Sequence, residues 1–171
     1  AHAPAVIDKP VIIGGGIGTG RQIAAALAMG AEGVVLGTRM LVAEELWIHR
    51  GYKERVVAAD GTESVVIKTA IRDHHRVYRN ASAEAVMELD RLGITDFEQF
   101  RPHVNGALTR KAYETGDATQ GTLDFGHSAV FADAIEPVER IFDRLLDDAA
   151  AATHRLQDVL VTRASANAQR Q

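Results

Sequence analysis

Residues 11–38 read VIIGGGIGTGRQIAAALAMGAEGVVLGT, and this stretch decides the fold. Val11, Ile12 and Ile13 are a β-branched run between Pro10 and a set of glycines, the pattern of a short buried parallel strand. Gly14, Gly15, Gly16, Gly18 and Gly20 make a loop with few side chains. Thr19 stands where it can cap a helix whose Ile23, Ala24, Leu27 and Ala28 share one side, and Gly30 supplies a left-handed stop. A second apolar run, 33–36, ends in Gly37-Thr38. Two parallel strands joined by a short helical crossover are the building block of an α/β fold.

The glycines fall at the carboxyl end of the first strand, just before a helix amino terminus. Small residues there let backbone N–H groups approach an anion, and the helix dipole adds to the attraction. Gly37-Thr38 repeats the arrangement after the second strand and adds a hydroxyl. Together the two strand ends describe a phosphate cup, which (β/α)8 barrels commonly build from the loops after strands seven and eight. A dinucleotide fingerprint does not fit, because Thr19 and Arg21 stand where its last glycine is required and no acidic residue ends the second strand. A nucleotide P-loop fails as well: Gly15 and Gly20 are correctly spaced, but Arg21 and Gln22 replace the Lys and Ser/Thr. A plain tight turn would also use glycine, so the residues leave two readings, of which the flavin or sugar-phosphate cup is the better.

The segment IIGGGIGTGRQIAAALAMGAEGVVLGTRML resembles the region around the last two barrel strands of the nitronate monooxygenases, a region shared with FMN-dependent enoyl-ACP reductases. HRGYKERVV, then RVYRN with its Arg-x-x-x-Asn pattern, and finally GDATQGTLDFGHSAVFADAIEPVERIF continue the likeness to about Leu156. The resemblance implies the carboxyl-terminal part of a (β/α)8 barrel, its last two strands, with a small helical region and a long C-terminal helix. It implies FMN as cofactor, with Gly15, Gly16, Gly37 and Thr38 at the phosphate and Gly14 and Ile17 lining the cup. The implied reaction carries electrons from an alkyl nitronate through FMN to O2, leaving a carbonyl compound and nitrite. An enoyl-thioester reductase using NAD(P)H is the alternative within chemistry, and a non-catalytic subunit the alternative outside it.

Composition agrees with a folded protein of that kind. With 171 residues and 46% hydrophobic content, the chain is long enough for one domain with a buried core. The net charge of −4 and pI of about 6.0 argue against nucleic-acid or acidic-membrane surfaces as partners. Without cysteine there is neither a disulfide framework nor thiol chemistry. The lead-in AHAPAVIDK has no signal-peptide pattern, and no run approaches the ~18 apolar residues of a spanning helix. A soluble, cytoplasmic setting is expected.

The chain divides into residues 1–70, carrying the two strands and the cup, 71–134, a small helical region, and 135–171, a C-terminal helix with a frayed tail. In the first part, 40–59 reads as one helix that buries Leu46, Trp47, Val56 and Val57, with Lys53, Glu54 and Arg55 on a solvated face. Residues 64–70 read as an extra strand, and 71–80 as an irregular basic connection whose Arg76 and Arg79 could meet substrate or phosphate. The tandem His74-His75 lacks metal-ligand spacing, and no metal is expected. Residues 82–92 form an amphipathic helix, Thr95 and Glu98 a capping box, and 108–115 a further helix stopped by Gly116. Residues 117–126 read as a loop and 127–134 as a short helix. The last helix, from Pro137 to about Leu160, carries the stripe Val138, Ile141, Leu145, Ala149, Ala152, Leu156 and Val159, suited to packing on a barrel's outside.

His127 is the one candidate catalytic residue. It follows Gly126 where the resembling family commonly has Gly-Gln, and a histidine beside a flavin can act as a base or hydrogen-bond donor. The base that the family carries in a Gly-Gly-His segment, upstream of these strands, is not in the sequence. Two strands cannot close a barrel. The expected partners are therefore a small-molecule substrate and either a complementing amino-terminal barrel chain or further copies in a homo-oligomer.

Overall fold

The computed structural model describes residues 3–168. Its elements in chain order are α1 (Ala3–Val6), β1 (Ile12–Gly14), α2 (Gly20–Ala28), β2 (Gly33–Val35), a 3-10 turn (Thr38–Val42), α3 (Arg50–Val57), β3 (Ser64–Ile67) and β4 (His75–Tyr78). There follow α4 (Ala81–Arg91), α5 (Phe97–Phe100), α6 (Gly106–Thr115), a second 3-10 turn (His127–Phe131) and α7 (Val138–Ala168).

The strand–helix–strand unit forms as expected. β1 and β2 are parallel, with Ile12, Ile13 and Gly14 opposite Gly33, Val34 and Val35, so the two strands end side by side. Thr19 caps α2: its hydroxyl accepts from the Gln22 amide, and the Gln22 carboxamide accepts in return from the Thr19 amide at 3.1 Å. Such reciprocal caps stabilise a helix start by ~1 kcal/mol. Gly20 is the first residue of α2, and a Cβ there would lie 2.1 Å from the Leu145 carbonyl oxygen. Only glycine lets the backbones of α2 and α7 come this close. Arg21 closes the contact, its Nε 2.9 Å from the Asp148 carboxylate.

The main core joins Val42, Ile48, Tyr52 and Val56 to Leu123, Phe125, Ile141 and Leu145. A second core sits on the antiparallel β3–β4 pair and gathers Ile67, Val77, Ala83, Val86 and Phe100. Asn80 links the two regions. Its side-chain carbonyl caps α4 by accepting from Ala83, and its amide donates to the carbonyls of Ala118 and Gly121 at 3.0 and 2.9 Å. The asparagine of the RVYRN segment thus holds the loop that leads to the second 3-10 turn.

Several sequence expectations are corrected. Residues 40–59 are not one helix: a 3-10 turn and an irregular stretch precede α3, whose amino end is capped by His49 Nδ1 accepting from Gly51. Trp47, expected inside, is 62% exposed, whereas Lys53, expected in solvent, is 5% exposed. Lys53 Nζ donates to the carbonyls of Ala43 and Glu44 at 2.6 and 3.0 Å, satisfying a chain end that no helix continues. Burial holds its pKa below the ordinary lysine value. Within 71–80 the supposedly irregular segment contains β4, in register with β3. Asp96 rather than Thr95 caps α5, accepting from Glu98 N.

The stripe on α7 is buried at Ile141 and Leu145 but exposed at Leu156 and Val159; α2, nine residues against the thirty-one of α7, meets it at Leu145, Asp148 and Ala149 and is too short to follow it to its end. α7 is helical to Ala168, past the point where the frayed tail was expected, and 169–171 lie outside the described residues. Among the described residues no helix is long and apolar enough to cross a membrane.

Candidate active site

A cavity of about 760 Å³ opens at the carboxyl ends of β1 and β2. Gly15, Gly16, Ile17, Gly37, Thr38 and His127 all line it. Gly14 does not; it is the last residue of β1, and a Cβ there would touch Val35 at 3.4 Å. Five of the six expected cup residues and the one candidate catalytic residue therefore meet at one place.

Each is positioned by a local cause. Gly15 and Gly16 have φ of +95° and +73°, a left-handed turn that L-residues with a side chain rarely adopt. Cβ atoms built on Gly15, Gly16 or Gly37 would meet nothing within 4 Å, so these backbones face open space. Gly18 does the reverse: a Cβ there would come within 2.6 Å of the Phe131 ring and 3.0 Å of Ser128 Cβ. The bare backbone at Gly18 is what seats the second 3-10 turn against the glycine loop. That contact brings His127 and Ser128 to the cup.

Thr38 Oγ1 accepts from the Gly126 amide at 2.8 Å, tying the tip after β2 to the same turn. Its own hydroxyl proton finds no acceptor among the described residues. An ion-pair cluster holds the outer side of these turns. Glu136, 6% exposed, receives Arg39 at 3.3 Å, Arg140 at 3.4 Å and Arg144 at 2.7 Å. Arg39 is itself 2% exposed, and that carboxylate compensates its buried guanidinium.

The cavity wall contains residues the sequence did not single out. Ser128 is 3% exposed and follows His127; its place one residue past the noted Gly126-His127 pair was the available signal. Leu41, Leu46 and Ile48 form an apolar side, and Trp47, Tyr113 and Asp124 a polar-aromatic one. Arg76 also lines the cavity and donates to Ser64 Oγ at 3.2 Å, while Arg79 pairs outside it with Glu84 at 2.6 Å. His75 of the tandem histidines lies 2.6 Å from Asp124 Oδ1. His127 is exposed, and among the described residues its ring makes no hydrogen bond.

Chemically, the cup combines bare amides, two hydroxyls and the end of a parallel strand pair, a donor set that suits a phosphate. The fit is to a group larger than a free ion, since the cavity continues along the apolar wall. A family model described as nitronate monooxygenase matches residues 1–148, cup and both 3-10 turns included. The chain belongs to the nitronate monooxygenase family. This is a family of oxidoreductases.

A nitronate monooxygenase of Metarhizium robertsii is 46% identical over 68 residues, which are 39% of this chain and 19% of that protein. Among solved structures, FabK from Thermotoga maritima has a TM-score of 0.81 and 33% identity over 91% of this chain and 49% of its own. Nitroalkane oxidase from Streptomyces ansochromogenes has a TM-score of 0.64 and 26% identity over 88% of this chain and 42% of its own. The α/β fold of this nitronate monooxygenase family member is thus similar to that of both. The chain spans about half the length of these solved structures and less of the Metarhizium protein.

Proposed function

We propose that this chain supplies the FMN-phosphate site of a flavin-dependent oxidoreductase that oxidises alkyl nitronates with O2 to a carbonyl compound and nitrite. The observation that carries the reading is the pair of strand tips, Gly15-Gly16 and Gly37-Thr38: all four residues line one cavity, and the three glycine backbones face empty space. Family membership and the likeness to nitroalkane oxidase support it. When bound, FMN supplies two-electron redox chemistry. The chain's own groups bind and orient: amides of Gly15, Gly16 and Gly37 with the Thr38 hydroxyl take the phosphate, Ile17 forms the floor, and Leu41, Leu46 and Ile48 exclude water. His127, exposed on the cavity wall, supplies a polar group at the mouth.

In the same reading β1 and β2 are the last two strands of a (β/α)8 barrel. Ile12 and Val35 are 54% and 60% exposed, as residues awaiting further barrel layers would be, and further strands of the whole protein or of a partner chain complete it. The likeness to FabK favours a second reading, an enoyl-thioester reductase with the same cup. The two separate in one assay on the flavin-loaded protein. Ethylnitronate-dependent O2 uptake with nitrite release supports the first; NAD(P)H consumption with an enoyl thioester and no nitrite supports the second.

A further inference from the structure

Beside the cup lies a second cavity of about 660 Å³, and the two share Trp47, Tyr113 and Asp124 in their walls. Tyr113 is the best-defined group at this junction. Its ring meets Tyr52 and Trp47 edge to face, with centroids 5.2 and 6.1 Å away, which fixes its plane. Its oxygen accepts the backbone N–H of Asp124 at 3.2 Å. That residue is held in turn by a bridge to Val77 and by the Tyr52 hydroxyl, which donates to its carbonyl at 3.3 Å. Tyr113 O–H therefore has a fixed position and an occupied lone pair, while its proton meets no acceptor among the described residues.

The charged groups around it have partners of their own. His75 faces the Asp124 carboxylate at 2.6 Å, and Arg110 faces Glu114 at 2.8 Å. The phenol is thus an uncommitted donor of the shared wall, and unlike the indole N–H of Trp47, which is 62% exposed, it sits on a half-buried ring held by two aromatic contacts. Burial raises its pKa from 10.0 to about 12, and the nearby Asp124 carboxylate pushes in the same direction, so it stays protonated. A positioned, neutral O–H with a free proton is suited to an anionic oxygen in the cavity.

We propose that Tyr113 is the substrate-orienting donor of this site, its O–H bonding one oxygen of the nitronate at the junction of the two cavities. The proposal rests on the reading of the cup given above, and it adds a residue on α6, far in sequence from the glycine loop. Phenylalanine at 113 keeps both ring contacts and removes the O–H, and with it the acceptor of the Asp124 backbone N–H. Tyr52→Phe is the control, because Tyr52 is fully buried, supports the same Asp124 backbone and lines neither cavity.

The test is anaerobic calorimetry of ethylnitronate binding to the full chain, with and without FMN, alongside FMN titration. Tyr113→Phe should weaken ethylnitronate by about tenfold to a hundredfold, as loss of a hydrogen bond to a charged group does, with FMN affinity within about twofold. Tyr52→Phe should lower thermal stability and leave ethylnitronate affinity unchanged. Equal ethylnitronate affinity in Tyr113→Phe and wild type overturns the proposal. So does an equal loss in Tyr52→Phe, and so does a wild type that binds no ethylnitronate in either state. A wild type that binds ethylnitronate through Tyr113 yet takes up no FMN supports the role of Tyr113 and sinks the flavin reading instead.

Discussion

The two small sheets of this chain are built to opposite ends. β3–β4 is filled: Ile67 and Val77 are fully buried, and Ala83, Val86 and Phe100 close over them with no exposed surface. β1–β2 is emptied: its strands end in glycines whose missing side chains leave a cavity, and Ile12 and Val35 stay exposed. Packing free energy accounts for the first region. It does not account for the second, where the bare backbone contributes nothing to a core; the proposed phosphate would. The same division runs inside the glycine loop, with Gly15 and Gly16 open to space and Gly18 and Gly20 pressed against the chain.

Emptying the filled side should give the largest effect. Phe100→Ala removes a fully buried ring and should cost ~3–5 kcal/mol in chemical denaturation while leaving FMN affinity unchanged in the folded fraction. Alkali probes the wall between the two regions. The Tyr113 phenol has its folded pKa raised from 10.0 to about 12, and burial raises that of Tyr52 further, so the folded state holds protons that the unfolded chain gives up. The stability linked to these protons is complete below about pH 10 and is lost as pH climbs through the folded values, by at most about 3 kcal/mol for Tyr113. Melting temperatures between pH 8 and 12, compared with those of Tyr113→Phe, check the sign: the variant should lose less.

The glycines sharpen the comparison further. Gly20→Ala places a methyl against the Leu145 carbonyl and should cost ~1–3 kcal/mol by forcing α2 and α7 apart. Gly37→Ala meets nothing and should change stability by less than about 0.5 kcal/mol. That same change should weaken FMN about tenfold, equal to ~1.4 kcal/mol, by crowding the phosphate. Stability and FMN affinity falling together in both variants would erase the distinction between the two kinds of glycine.

The legible parts of this structure were those fixed by local chemistry. The apolar runs, the Thr19 cap and the glycine spacing set the strand–helix–strand unit and brought Gly15, Gly16, Gly37 and Thr38 to one cavity. What escaped was set by partners distant in sequence. β4 has one fully buried residue, Val77, among polar neighbours, and becomes a strand only because β3 pairs with it. Lys53 sits in a run of charges that suits solvent, yet its ammonium is drawn inward by two carbonyls left free where the chain turns irregular. Trp47 reads as core but flanks two cavities. Tyr113 carries no motif and Ser128 sits unmarked beside the Gly126-His127 pair; only the folded chain brings both to one cavity wall.

The central claim is that the emptied strand tips hold a phosphate, and the most direct measurement compares FMN with riboflavin, which differ by that group alone. Equilibrium titration of the full chain should show FMN binding at least about a hundredfold more tightly, as expected for several charge-assisted hydrogen bonds. Equal affinity for the two flavins would contradict the account.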